Sequence, residues 1–202
     1  MTKARLETFS DGVVAIIITI MVLELKVPEG ADWAAFRTLL PSLLTYALSF
    51  IYLGIYWVNH HHMLVMADRV DGKILWANLH LLFWLSLVPA GTEWLGEQHN
   101  ASLPTAAYGF VLLMPAIAYF ILQNTIIAKE GPGSPLAAAV GRDVKGKISP
   151  LLYLLGIGLS FVQPWMGDAA YVLVALMWLV PDPRIETHVV QHARERAKTS
   201  HP

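Results

Sequence analysis

Cysteine is absent from this chain of 202 residues, and charged residues are scarce. Without cysteine there can be no disulfide bonds and no thiolate metal ligands. Only 14% of the residues are charged and 55% are hydrophobic, whereas an average soluble domain is about 25% charged. The net charge is −1, so no overall basic field indicates a nucleic-acid partner. Because apolar runs recur along the chain, we predict a polytopic protein embedded in a lipid bilayer.

The sequence also lacks the local motifs of several functional classes. It has no T-V-G-Y-G carbonyl filter, no arginine-rich voltage-sensing helix and no P-loop. It has no nucleophile elbow, and no H-x-x-x-H pair lies within an apolar segment. We therefore predict that the protein is not an enzyme and uses no catalytic residue, resident metal or cofactor.

Six apolar segments approach the length of about 20 residues that a helix needs to cross a bilayer. They predict an all-α integral membrane protein with one transmembrane domain, 1–183, and a polar cytoplasmic tail, 184–202. The spans are expected at about 7–27, 36–58, 74–95, 104–127, 149–164 and 168–182. The last two are short and could instead form a hairpin that does not fully cross.

Prolines indicate where these spans begin, end or bend. Ser149 and Pro150 are a plausible cap and first-turn pair for the fifth span. The stretch Pro164–Asp168 reads as a tight turn before the sixth span. Pro89 and Pro115 fall inside the third and fourth spans and predict kinks there.

Lysine and arginine are unevenly distributed over the predicted loops. With six spans, twelve of the 14 cationic residues lie on the side that both termini share, and only Lys26 and Arg37 lie on the other. Cytoplasmic loops of membrane proteins carry this excess of positive charge. The pattern predicts that both termini are cytoplasmic, and it supports an even number of spans.

The first apolar helix, expected from Arg5 to Val27, carries polar residues that burial does not require. At about 100° per residue, one stripe of this helix comprises Arg5, Phe9, Gly12, Ile16, Ile20, Leu23 and Val27, with Thr19 at its edge. Packing on neighbouring helices is the common explanation of such a stripe. However, Arg5 and Asp11 must be paired or wetted inside a membrane, which leaves a pore lining as the second explanation. One lining helix per chain cannot enclose a pore, so that explanation requires an oligomer.

A polar cluster ends the second span and comprises Trp57, Asn59, His60, His61 and His62. Three consecutive histidines spread over about 200° of a helix and cannot all face one metal ion. We interpret the cluster as hydrogen-bonded to neighbouring helices, with Arg5, Ser10 and Asp11 at the same depth as partners. Asn78 and His80 in the third span could join it. A metal or catalytic site and simple interfacial placement are the alternatives.

Arg5, Phe9, Ser10 and Asp11 form an R-x-x-x-F-S-D motif, and an Ile/Val-rich helix that ends in L-E-L-K-V-P follows it. These residues resemble the first-helix signature of the transmembrane protein 175 potassium channels. Trp57 with N-H-H, and a run that ends S-L-V-P at Pro89, look like the second and third spans of that family. The resemblance therefore covers most of the chain. The single six-helix repeat is similar to the prokaryotic branch, which implies the cell membrane of a prokaryote.

The resemblance implies a homotetramer in which the first helix of each copy lines a central pore for K⁺. It places a constricting aliphatic ring at Ile16, with further pore-facing positions at Thr19 or Ile20 and at Leu23. It implies a structural network, and not ion ligands, for Arg5, Phe9, Ser10, Asp11, Trp57, Asn59, His60 and His61.

The function that the resemblance implies is passive, potassium-preferring cation conduction through a pore with a hydrophobic constriction. A secondary transporter coupled to protons or sodium is the alternative, because short spans and mid-helix prolines fit such proteins loosely. A membrane-embedded histidine-metal enzyme is a third possibility, but it would need histidine clusters from several helices.

Overall fold

A computed structural model describes residues 2–141 and 143–179 of the chain. Within these ranges all regular structure is helical, as predicted. The helices are α1 Lys3–Leu23, α2 Trp33–Val65, α3 Gly72–Leu85, α4 Val88–Glu97, α5 Ser102–Glu130, α6 Pro135–Val140, α7 Val144–Ser160 and α8 Pro164–Leu179. Arg142, the end of the sixth predicted span and the tail 184–202 lie outside the described residues.

Four helical segments are long and apolar enough to cross a membrane: Lys3–Leu23, Trp33–Val65, Gly72–Glu97 and Ser102–Glu130. Helix α7 has 17 residues and the described part of α8 has 16. At a rise of about 1.5 Å per residue, each measures roughly 25 Å, which is shorter than the hydrocarbon core of about 30 Å. Length and composition alone thus identify four of the six predicted spans.

The third predicted span is two helices, not one. Helix α3 ends at Leu85 and α4 begins at Val88, with a turn at Ser86 and Leu87 between them. Pro89 lies in the first turn of α4, where its missing N–H leaves no helical hydrogen bond unmade. The helix is thus irregular at Ser86 and Leu87, just before Pro89 where a kink was expected, whereas α5 continues past Pro115.

Two expected boundaries near the end of the chain are wrong. Helix α7 begins at Val144, because the carboxylate of Asp143 caps it by accepting a hydrogen bond from the Gly146 N–H at 3.0 Å. Pro150 lies inside this helix. The stretch expected to be a turn, Pro164–Asp168, is instead the first turn of α8, where proline is favoured at the first helical position.

Aspartate caps also fix the starts of α2 and α3. Asp32 accepts a hydrogen bond from the Ala35 N–H at 2.8 Å. Asp71 accepts two, from the N–H groups of Lys73 at 3.0 Å and Ile74 at 3.1 Å. Each carboxylate satisfies N–H groups that the first helical turn leaves without partners, so these polar residues define where the apolar helices begin.

The helices bury two apolar clusters. The first joins α1 and α3 to the C-terminal ends of α2 and α5, and α6 covers it with Leu136 and Ala139. The second joins α5 to α7 and α8 and is rich in tyrosine, with Tyr108 and Tyr171 fully buried. Among the described residues, the buried apolar side chains of α1 belong only to the first cluster, and much of its remaining surface is exposed.

Candidate functional site

Helix α1 buries one face and leaves another uncovered. The buried residues recur every three or four positions and are Leu6, Ser10, Val14, Ile17 and Met21. The stripe singled out in the sequence is a different face: Ile16 is 58% exposed, Ile20 43% and Leu23 80%. Thr19 is also exposed. Intramolecular core packing, the common explanation of such a stripe, is therefore wrong for this one.

A chain of three buried polar side chains fixes the position of α1. The Asn78 amide in α3 donates to the Ser10 hydroxyl in α1 at 3.0 Å, and the Asn78 oxygen lies 2.7 Å from Nε2 of His60 in α2. Because that oxygen can only accept, we assign the proton to His60 Nε2. The Ser10 hydroxyl donates its own hydrogen bond to the Leu6 carbonyl at 2.9 Å. All three side chains are thus satisfied although they are removed from water.

A second contact holds the exposed side of α1. The indole N–H of Trp57 donates to the carboxylate of Asp11 at 2.9 Å, and both side chains remain exposed in the single chain. A hydrogen bond to an ionised group is stronger than one between neutral groups. The α2 end thus binds α1 twice, through His60 by way of Asn78 and through Trp57 directly.

The other residues of the expected network do not join it. Within residues 2–141 and 143–179, the Arg5 side chain has no hydrogen-bond or ion-pair partner, and Phe9 is 49% exposed. The Asn59 amide bonds to the Ile55 carbonyl of its own helix at 2.8 Å. His61 is exposed beside His62.

Several other contacts that hold these helices together could not have been predicted from the sequence. The Tyr119 hydroxyl in α5 donates to the Asn59 carbonyl at 3.1 Å, and the Lys3 ammonium donates to the Val65 carbonyl at 3.1 Å. Both acceptors are backbone groups, which no residue pattern marks. His80 could have joined the network but accepts a hydrogen bond from Trp84 of its own helix at 2.8 Å.

A groove of about 400 Å³ runs along the C-terminal half of α1, beside the α3–α4 break. Ile16 and Ile20 line one wall, Pro89 lies opposite, and Glu24 and Glu93 stand at its acidic end. No set of three or more histidine, aspartate or glutamate side chains in the described ranges is placed to hold a metal ion. Apart from its acidic end, the groove is an apolar surface.

An ion pair ties the loop after α1 to the end of α4. The Lys26 ammonium hydrogen-bonds to the Glu97 carboxylate. This contact raises the pKa of Lys26 above its ordinary value, with the charges of Glu97, Glu93 and Glu24 adding to the hydrogen bond. Helix α1 is thus anchored at both ends, by the polar chain near its start and by Lys26 beyond its end.

Known proteins resemble this chain over nearly its full length. A potassium channel of a Chryseobacterium species is 59% identical over 186 residues, which cover 92% of this chain and 97% of that protein. The family model described as the endosomal/lysosomal potassium channel TMEM175 matches residues 5–89. The chain belongs to the TMEM175 family. The resemblance seen in the sequence is therefore confirmed, and the family is one of ion channels and not of enzymes.

Two further matches support this placement. A potassium channel of Streptomyces collinus is 34% identical over 188 residues, which cover 87% of this chain and 91% of that one. The crystal structure of a lysosomal potassium-selective channel TMEM175 homolog from Chamaesiphon minutus superposes with a TM-score of 0.79 at 29% identity, covering 88% of this chain and 96% of that chain. Vertebrate relatives, which match over about a third or less of their own length, are named endosomal/lysosomal proton channels.

Proposed function

We propose that the protein is a passive, potassium-preferring cation channel in the cell membrane of a prokaryote. Four copies surround a central pore, and α1 of each copy lines it. Each copy has six spans, with α7 and α8 as the last two and with both termini in the cytoplasm. The names of the bacterial relatives support potassium as the permeant ion.

The observation that carries this proposal is the chemistry of the uncovered face of α1. Arg5 and Thr19 are exposed there in the single chain. An ionised side chain such as Arg5 is costly where it faces lipid, so lipid is a poor neighbour for this end of the face. Water in a pore and neighbouring copies of the chain are suitable neighbours, and they require an oligomer built around α1.

The aliphatic residues on the same face supply a constriction. Ile16 projects from the middle of α1, and Ile20 and Leu23 follow one and two turns later. Four copies of such a residue around an axis form an apolar ring, and an apolar ring obstructs ions by excluding water. Permeation then requires the ring to widen or the ion to shed water. Ser10, Asp11, Trp57 and His60 orient the helix and do not bind the ion.

The proposal is tested by flux measurements on the purified protein in liposomes. With opposing potassium and sodium gradients and no other driving force, we expect a passive current whose reversal potential lies toward that of potassium. A flux that saturates and requires a proton or sodium gradient would favour the coupled transporter. A reversal potential that follows the proton gradient would instead make this chain resemble the vertebrate relatives in function.

A further inference from the structure

A cavity of about 40 Å³ lies between α2, α5, α7 and α8. Its walls are largely aromatic: Tyr56 comes from α2, Tyr119 from α5, Tyr153 from α7 and Trp178 from α8. We call it the aromatic cavity. No residue of α1 lines it, so it is separate from the proposed pore.

Asp143 is the one charged residue of the described chain that lines the aromatic cavity. One carboxylate oxygen accepts the Gly146 N–H at 3.0 Å, and among the described residues the other accepts a single long hydrogen bond, 3.4 Å, from the Gln123 amide. A carboxylate can accept about four hydrogen bonds, so this second oxygen retains capacity for a donor inside the cavity.

The backbone around Asp143 is shaped to present its carboxylate. Asp143 has φ of 39°, the one non-glycine residue with positive φ in the described ranges. This left-handed conformation is unfavourable for most residues and tolerated best by aspartate and asparagine. Gly146 completes the arrangement, because a Cβ there would collide with the Asp143 carboxylate. The strained conformation therefore coincides with a lining position of the cavity.

We propose that the aromatic cavity binds a small ammonium group, either a free primary amine or the ethanolamine head of a lipid. Aromatic faces attract cations, and the Asp143 carboxylate supplies a charged acceptor for an N–H donor. The Tyr56 hydroxyl, which has no hydrogen-bond partner among the described residues, is a second acceptor on the wall. The negative charge disfavours anions, and the volume has room for only about three water-sized groups, which excludes a bulky ligand.

The first experiment measures binding to the purified full-length protein by saturation-transfer NMR and by thermal stabilisation. Ethanolamine is the cationic probe, and ethylene glycol is its neutral counterpart of equal size. We expect saturable binding and a rise in Tm with ethanolamine alone. An equal response to ethylene glycol would mean that charge plays no part and would overturn the proposal.

Variants then locate the site. Asp143→Asn keeps the helix cap and tolerates the left-handed conformation, but it removes the charge and should weaken ethanolamine binding about tenfold. Asp32→Asn is the matched control, because Asp32 caps α2 outside the cavity. Tyr56→Leu is a second variant, and it should weaken binding by removing an aromatic wall. Binding in Asp143→Asn and Tyr56→Leu that equals wild-type binding would place the amine elsewhere.

A third measurement separates the two sources of the ammonium group. The protein is mixed with vesicles of phosphatidylethanolamine or of phosphatidylglycerol, and retained lipid is measured by native mass spectrometry. Retention of phosphatidylethanolamine that Asp143→Asn loses identifies a lipid headgroup, whereas binding of free ethanolamine without such retention identifies a soluble amine. If neither binds, the proposal is wrong. Potassium flux plays no part in these readouts, so the outcome is independent of the proposed channel function.

Discussion

The Asn78 side chain donates a hydrogen bond to the Ser10 hydroxyl, 3.0 Å away, and so joins α3 to α1. Its oxygen simultaneously meets His60 of α2 at 2.7 Å. One buried amide therefore fixes three helices at the level where the candidate pore helix begins. Because water cannot replace these partners, loss of Asn78 leaves polar groups unsatisfied on two neighbouring helices.

We expect Asn78→Leu to lower the free energy of unfolding by about 0.6–2 kcal/mol, the range found for hydrogen bonds between membrane helices. The measurement is denaturant unfolding of the purified protein in detergent. Asn124→Leu is the matched control, since Asn124 is exposed and, within the described part of the chain, hydrogen-bonds to the Phe120 carbonyl of its own helix alone. Equal losses in both variants would show that Asn78 does not join the helices energetically.

The sequence predicted part of this network, and simple geometry explains the rest. Because polar side chains in an apolar run need partners, we expected contacts among Ser10, Asp11, Trp57 and His60, and the structure has two separate contacts, Ser10–Asn78–His60 and Asp11–Trp57. The same reasoning also predicted that Arg5 and His61 would join the network, which they do not. Successive residues point about 100° apart on a helix, so the rotation of α2 about its axis decides which histidine is buried. That rotation is set by packing in three dimensions and leaves no mark on the local sequence.

The helix positions could be predicted from the sequence, but some of the helix boundaries could not. Apolar run lengths located the helices, but they did not reveal that the third span is broken at Ser86 and Leu87. Helix α7 begins at Val144, five residues before the Ser149–Pro150 pair expected to start it, because Asp143 adopts a left-handed conformation and caps the helix at Gly146. Such a cap is favourable only when the tertiary structure stabilises the strained residue.

Ile16→Asn tests the proposed constriction. An amide at the ring would hold water where the aliphatic side chain excludes it. We therefore expect a larger single-channel conductance and a smaller preference for potassium over sodium. Ile121→Asn is the control, because Ile121 in α5 is 42% exposed and not on α1. Unchanged currents in Ile16→Asn would remove Ile16 from the constriction, and identical changes in both variants would indicate a nonspecific effect of the amide.

Asp71 provides a prediction of pH dependence outside the spans. The N–H of Ile74 lowers the pKa of Asp71 below its ordinary value, and the Lys129 ammonium, 3.3 Å away, lowers it further. A carboxylate whose folded-state pKa is depressed stabilises the fold above its unfolded pKa of about 3.9. This contribution is lost as the pH falls through the folded pKa.

The variant Asp71→Asn keeps a capping side chain but has no charge to titrate. We expect its Tm to lie below that of the wild type at pH 7, and we expect the difference to shrink below about pH 4 and to vanish once the pH is below the folded-state pKa of Asp71. Added salt should reduce the difference, because the Lys129 contact is partly exposed and screened. A difference that grows on acidification would contradict the assigned sign.

The approach of α5 to α8 depends on a missing side chain. Tyr171 is fully buried and donates a hydrogen bond to the Thr105 carbonyl at 3.2 Å. A Cβ at Gly109 would overlap the Tyr171 hydroxyl and approach Ile157 of α7. Neither neighbour can retreat without disturbing the tyrosine-rich cluster, so the glycine is required for packing and not for backbone freedom.

We expect Gly109→Ala to destabilise the fold by about 1–3 kcal/mol, the usual cost of overpacking. Gly158→Ala is the control, because nothing in the described chain lies within 4 Å of a Cβ at Gly158, and the change should be neutral or stabilising by up to about 1 kcal/mol.

Since the Tyr171 hydroxyl is the nearest obstacle to a Cβ at Gly109, the cost of Gly109→Ala should shrink when Tyr171→Phe is already present. Unfolding of the four variants in a double-mutant cycle measures this coupling, and strictly additive costs would mean that the two residues do not compete for the same space.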